Sequence, residues 1–196
     1  MKPILSVALI ALVAIVAILS WYGLFAKVTR TSRTFSSMRF VFQKHRGNYR
    51  EIGPIMDAVY EHLKAQGMPT TLGAGIYFDN PREVSVEDLR SLGGCILPQG
   101  APSPTLTPGT FIATLPEVES TLFAFPYKGK LSAILGMLKV YPKISAWFEA
   151  HPQLEGPILE IYDVPEKRIL YIPARAFGEG VVEKLWAMNA HENAKG

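Results

Sequence analysis

The stretch 158–172, ILEIYDVPEKRILYI, decides how the rest of this chain is read. Two runs rich in β-branched and aromatic residues, Ile158–Tyr162 and Arg168–Ile172, flank Val164–Pro165, so the spacing predicts an antiparallel hairpin. Upstream lies an apolar helical pattern, Leu131, Ile134, Leu135 and Leu138. Pro142 interrupts it, and the pattern resumes toward Trp147 and Phe148 as a kink or a second helix. Before it, Glu119–Phe125 alternates with Thr121, Phe123 and Phe125 on one face. The order is strand, helix, strand, strand.

The same order occurs earlier in the chain. Residues 39–45 (RFVFQKH) read as a strand, with Phe40, Phe42 and Lys44 on one face. Ile52, Ile55, Met56, Val59, Tyr60 and Leu63 then recur at helical spacing through Gln66, with Gly67 as C-cap. Gly75–Phe78 is a short strand closed by Asp79–Asn80–Pro81, Ser85–Ser91 a helical turn, and Gly94–Leu97 a further strand. Between the halves, residues 98–110 (PQGAPSPTLTPGT) hold four prolines and two glycines and read as a connector. The expected fold is α+β: a duplicated strand-helix-strand-strand with pseudo-twofold symmetry and two helices on one side of an antiparallel sheet, preceded by one transmembrane helix. Seams between such halves are where pockets form.

That helix is the strongest local signal. No charge occurs from Pro3 to Ala26, and about 20 apolar residues span a ~30 Å hydrocarbon core. A cleaved signal peptide is the rival, but its apolar region runs about 7–15 residues before a small-x-small site. Here the run is longer, and Ile18/Ser20, Trp21/Gly23 and Leu24/Ala26 each put a bulky residue in the outer position. Trp21, Tyr22 and Phe25 read as an interfacial belt. Lys27, Arg30, Arg33 and Arg39 follow the helix against Lys2 before it, which favours a cytoplasmic domain. Interleaved with Thr29, Thr31, Ser32, Thr34, Ser36 and Ser37, these bases suggest a flexible tether beside anionic headgroups. The expected organisation is an anchor over 1–26, a tether over 27–37, a ligand-binding domain over 38–177, and a short helix and tail over 178–196. In that last segment Val182, Leu185 and Trp186 share a face.

Composition narrows the function. In 196 residues, 48% hydrophobic and 19% charged, 20 basic residues against 17 acidic ones leave a net charge of +3, too even for a nucleic-acid binder. One cysteine, Cys95, excludes a disulfide framework and a multi-thiolate zinc site. His45, His62, His151 and His191 show no HExxH or HxH spacing, so no metal and no cofactor are expected. Gly73, Gly75, Gly93 and Gly94 precede no GxxxxGK, Ser36 and Ser132 lack a GxSxG elbow, and Cys95 reads as a buried strand residue. Asp79 reads as an Asx-turn residue rather than an acid catalyst.

Glu160 is the residue to explain. Alternation in ILEIY places Ile158, Glu160 and Tyr162 on one face and Leu159 and Ile161 on the other, so both faces are apolar. A buried carboxylate must find a partner, take up a proton or await a ligand. Arg168 across the hairpin is one candidate partner.

Several segments in this order resemble the GyrI-like small-molecule-binding domains over about residues 38–175: HRGNYREIG (45–53), GIYFDNP (75–81), the Gly93–Gly94 strand, FPYKGKLSAILGML (125–138), WFEAH (147–151), PILEIYD (157–163) and ILYIPA (169–174). The resemblance implies that Glu160 is the acidic centre of a pocket. It also implies that Tyr49, Tyr77, Phe125, Trp147, Tyr162 and Tyr171 are directed toward that cleft. A carboxylate in an aromatic box suits a lipophilic cation, at ~0.5–2 kcal/mol per well-placed ring. Related domains serve multidrug-responsive transcription activators, but no helix-turn-helix segment is evident here. A membrane helix ahead of the domain is similar to an autophagy-receptor member of the family. That receptor's aromatic-x-x-aliphatic motif is missing, because Trp186 is followed three positions on by Asn189, and its role is not transferred. The expected function is membrane-anchored binding or sequestration of aromatic or cationic small molecules. The alternatives are hydrolysis of strained cyclopropanes by a pocket Glu, with Glu160 as the catalytic residue, and an adaptor for an unknown protein partner.

Overall fold

A computed structural model describes residues 2–189. Helix α1 (Lys2–Trp21) contains an 18-residue window, Ile4–Trp21, of mean hydropathy 2.8 with none of it buried. By length and composition it is able to cross a membrane.

The domain that follows is an eight-stranded antiparallel sheet in the order β1-β6-β8-β7-β3-β4-β2-β5. Its strands are β1 (Thr29–Phe35), β2 (Met38–Arg46), β3 (Leu72–Tyr77), β4 (Arg90–Ile96), β5 (Thr110–Leu115), β6 (Val118–Pro126), β7 (Ile158–Asp163) and β8 (Arg168–Pro173). Helices α2 (Ile52–Ala65), α3 (Lys130–Phe148) and α4 (Val181–Ala187) complete it. The repeat expected from sequence is present. β2-α2-β3-β4 and β6-α3-β7-β8 place their strands in matching orders, and the halves join where β3 pairs with β7, Gly75 opposite Glu160.

Two strands were not expected. The supposed tether is β1, paired with β6 from Thr29↔Ala124 to Phe35↔Val118. Its Thr-Arg alternation leaves nearly every side chain exposed, so the backbone ladder holds it, with Phe35 as the one buried residue. β5, immediately after the proline-rich connector, pairs with β2. Only two residues separate β1 from β2, and two separate β5 from β6, although each pair sits at opposite ends of the strand order. Such a link holds the two strand ends within ~11 Å of each other, so the sheet curls until its ends meet.

The curl creates two packing layers. Phe40, Phe42, Leu92, Leu159, Leu170 and Ile172 share the inner core. The C-terminal segment closes that face with Phe177, Val182 and Leu185, so α4 belongs to the domain rather than to a separate tail. α2 and α3 both lie on the outer face, as expected, over Gly73 and Gly93 in one half and Phe125 and Tyr171 in the other. Gly67, at φ +74, ends α2, with the Met68 N–H returning 3.0 Å to the Leu63 carbonyl. α3 runs continuously through Pro142 rather than splitting into two helices.

Candidate functional site

Glu160 stands in the middle of β7 at the seam, opposite Gly75 on β3 and Tyr171 on β8. It is 6% exposed. Its carboxylate accepts from the Tyr162 hydroxyl at 2.6 Å (Oε2) and from the Tyr141 hydroxyl at 2.9 Å (Oε1). Arg168 does not pair with it but turns to Asp163, at 3.1 Å, in register across the hairpin. Among the described residues no cation faces Glu160. Burial pushes its pKa above the ordinary carboxyl range, against the lowering pull of the Tyr162 and Tyr141 bonds.

The glycines of β3 let neighbouring side chains close onto the strand beside it. A Cβ on Gly75 would stand 3.1 Å from Tyr77 Cε2 and 3.2 Å from its hydroxyl, so the Tyr77 ring lies over the bare backbone beside Glu160. A Cβ on Gly73 would meet the Met56 methyl of α2 at 2.8 Å. Edge-on ring pairs extend outward from the tyrosines around the carboxylate: Tyr49–Tyr77 at 5.0 Å, Tyr127–Tyr162 at 5.5 Å and Tyr141–Tyr171 at 6.0 Å between centroids. Burial, and after it the Glu160 charge, raises the phenols of Tyr77, Tyr141, Tyr162 and Tyr171, so they remain neutral. The Tyr171 hydroxyl is buried with no hydrogen-bond partner among the described residues and lies against Gly136 of α3, where a Cβ would be 2.4 Å away.

Of the aromatics expected at the cleft, Tyr77, Tyr162 and Tyr171 gather around Glu160. Tyr49 reaches it only through Tyr77. Its own hydroxyl is fixed 3.0 Å from the Asp79 carbonyl and accepts from the Asp79 N–H at 3.0 Å. Burial, outweighing those backbone bonds, raises its pKa to about 12. Phe125 and Trp147 lie in the core under α3. Phe125 is beside Gly136, and Trp147 is stacked on His151 at 4.2 Å and set edge-on to Phe123 at 6.1 Å. Sequence reasoning missed Tyr141 and Tyr127. Tyr141 precedes the proline that suggested a helix end, and only continuity through Pro142 turns its hydroxyl onto β7.

Asp79 is not the Asx-turn residue. Asn80 takes that part, accepting from Arg82 N at 3.1 Å, while Asp79 binds Arg90 through Oδ1–Nη2 at 2.6 Å and Oδ2–N at 2.7 Å. Burial raises the Asp79 pKa, but the Arg90 bonds and charge outweigh it, leaving a net lowering. Cys95 is buried, and burial pushes its thiol up to about 12. No group of three potential metal-ligating side chains occurs among the described residues.

The fold and site together define a duplicated α+β module with a tyrosine-ringed carboxylate at its seam. A family model described as the GyrI-like small molecule binding domain matches residues 31–173, and the chain belongs to that family. The chain is 27% identical over 146 residues to the mouse (Mus musculus) testis-expressed protein 264 homolog, covering 69% of this chain and 45% of that protein. It thus spans less than half the length of that curated relative. Among solved structures, the crystal structure of the EcmrR C-terminal domain superposes with a TM-score of 0.53 at 8% identity, covering 74% of this chain and 96% of that one. The cryo-EM structure of an EcmrR–DNA complex gives a TM-score of 0.55 at 9% identity, covering 74% and 57%. At such identities these establish the fold alone.

Proposed function

We propose that this chain binds lipophilic aromatic cations at the seam between its two halves, holding them beside a membrane without changing them. Membership of a small-molecule-binding family supports the general reading. One observation carries the finer one: a buried carboxylate with two tyrosine hydroxyls as its partners and no cation facing it among the described residues. A cation entering beside Glu160 supplies the missing charge, and the faces of Tyr77, Tyr162 and Tyr141 receive its aromatic groups. In this reading α1 anchors the domain and the basic residues after it hold the domain on the cytoplasmic side.

The test is a titration of the full chain in detergent with methyltriphenylphosphonium and with neutral triphenylphosphine oxide, followed by aromatic fluorescence. The two probes share three phenyl rings and differ in charge. Saturable binding of the cation with much weaker binding of the oxide is expected. Equal affinities, or none for either, overturn the proposal.

A further inference from the structure

We propose that the outer face of α3 seats in the lipid bilayer, so that the helix covering Glu160 is itself a membrane-surface helix. The inference rests on the anchor reading of α1. Three observations lead to it.

The first is a contrast inside the repeat. α2 and α3 occupy equivalent places, and α2 turns Asp57, Glu61 and Lys64 outward. α3 turns out Ile134, Met137 and Leu138, which are 51%, 49% and 63% exposed. α3 is therefore apolar on both sides, since Leu135, Val140, Ile144 and Phe148 are already buried beneath it. A helix exposing such a stripe to water gains nothing from it, whereas α2 shows what a water-facing helix of this fold carries.

The second is where α3 is held. The residues leaving α1 run along it: Ser132 donates to the Tyr22 carbonyl at 2.9 Å, and the Lys139 ammonium donates to the carbonyls of Leu24 and Ala26 at 2.7 and 2.6 Å. Gly23, at φ +111, brings the backbone against Phe125, where a Cβ would be 2.9 Å from the ring, and the Lys128 ammonium lies 3.9 Å from the centre of the Trp21 ring. Tyr22–Ala26 spans at most ~18 Å even when extended. If α1 spans a bilayer, α3 has no freedom to leave its surface.

The third is charge. Of the lysines of α3, Lys139 is held by the Leu24 and Ala26 carbonyls while Lys130 and Lys143 are exposed, and the helix contains no acidic residue. Cations flanking an apolar stripe fit the headgroup layer of an anionic bilayer. Tyr141, on the same helix, donates to Glu160. Seating α3 in lipid would open the seam to ligands already dissolved in the membrane.

The experiment uses the full chain with Cys95→Ala, reconstituted into phosphatidylcholine–phosphatidylglycerol bilayers, with a nitroxide at one introduced cysteine. Leu138→Cys reports on α3, Asp57→Cys on α2 and Ile10→Cys on α1. Collision with oxygen, which concentrates in lipid, is compared with collision with a water-soluble nickel chelate. The Leu138 label is expected to lose chelate access and resemble the Ile10 label, while the Asp57 label stays open to the chelate. A Leu138 label as open as the Asp57 label, with the Ile10 label protected, overturns the seating of α3 and leaves the anchor standing. Chelate access at Ile10 as well overturns the anchor and the inference together.

Discussion

Replacing Glu160 by glutamine separates a ligand site from a structural pair. The shape is conserved, one acceptor oxygen is retained, and the other becomes an amide that donates. One of the two tyrosine hydroxyls, now 2.9 and 2.6 Å from the carboxylate, must therefore reverse its bond or lose it. A single disrupted bond costs about 1–3 kcal/mol. Removing a buried charge with no cationic partner recovers several kcal/mol of desolvation. The balance predicts Glu160→Gln to be neutral to about 2 kcal/mol more stable near neutral pH. At ~2–4 °C per kcal/mol, its melt rises by roughly 0–8 °C. Affinity for methyltriphenylphosphonium should fall by about 1.5–3 kcal/mol, roughly ten- to 150-fold in Kd, while triphenylphosphine oxide changes little. The pH dependence carries the same sign. Between the unfolded value and its own raised one, the native carboxyl keeps a proton that the unfolded chain releases, and above both it is the buried charge that glutamine removes. Its contribution to stability is therefore full below the unfolded value of ~4.3 and lost as pH rises through the native one. That component should vanish in the glutamine variant. Thermal melts of both proteins, with and without each probe, read all of this. A variant that melts lower by several degrees and loses both probes equally refutes the reasoning and makes Glu160 structural.

Gly94→Ala should abolish folding or destabilise by more than about 3 kcal/mol, because its Cβ would collide with the Val41 carbonyl and Phe42 Cα of the paired strand. Soluble yield and far-UV circular dichroism check it. Asp79→Asn should cost about 1–3 kcal/mol at neutral pH by loosening the Arg90 clamp that also positions the Tyr49 loop. Because the Asp79 pKa is lowered, its contribution is present above ~3.9 and lost as pH falls through the native value, so wild type and variant melts should converge in acid. The full chain should stay with membranes through carbonate washing, with its domain spared by protease added outside intact cells. Release of a product beginning between residues 20 and 27 would instead mark α1 as a cleaved signal.

The repeat was legible because each half writes its own periodicity: alternation in RFVFQKH and ILEIY, helical spacing from Ile52 to Leu63 and from Leu131 to Leu138. The missing strands fail that test for physical reasons. β1 exposes both faces, so it carries no apolar alternation, and its stability resides in a backbone ladder that threonine and arginine do not advertise. β5 follows directly on a proline-rich run, and its partner β2 lies about 70 residues earlier. At the site, Glu160 stood out as a charge between apolar faces, and Tyr162 shared its face by strand alternation. Tyr141 could not be read the same way, because its contact depends on how α3 crosses the sheet. Phe125 and Trp147 lie in the core beneath α3, in the same cluster as Tyr171. An aromatic on the helix-facing side of a strand or within a helix fits a core as well as a cleft, and here the space is taken by Gly136, Phe123 and His151. Arg168 was the right partner type on the wrong acid, since hairpin register sets it opposite Asp163.

The charge state of Glu160 in the presence of ligand tests the central claim most directly. Carbon-13 labelling of the glutamate side-chain carboxyls, assigned with Glu160→Gln, lets its titration be followed in the full chain by its chemical shift. Without ligand it should titrate above the ordinary carboxyl range. Saturating methyltriphenylphosphonium should bring that value down, because a cation against the carboxylate favours its ionised form, while triphenylphosphine oxide should leave it in place or raise it. A Glu160 titration unmoved by a bound cation would contradict the assignment of this carboxylate as the ligand's partner.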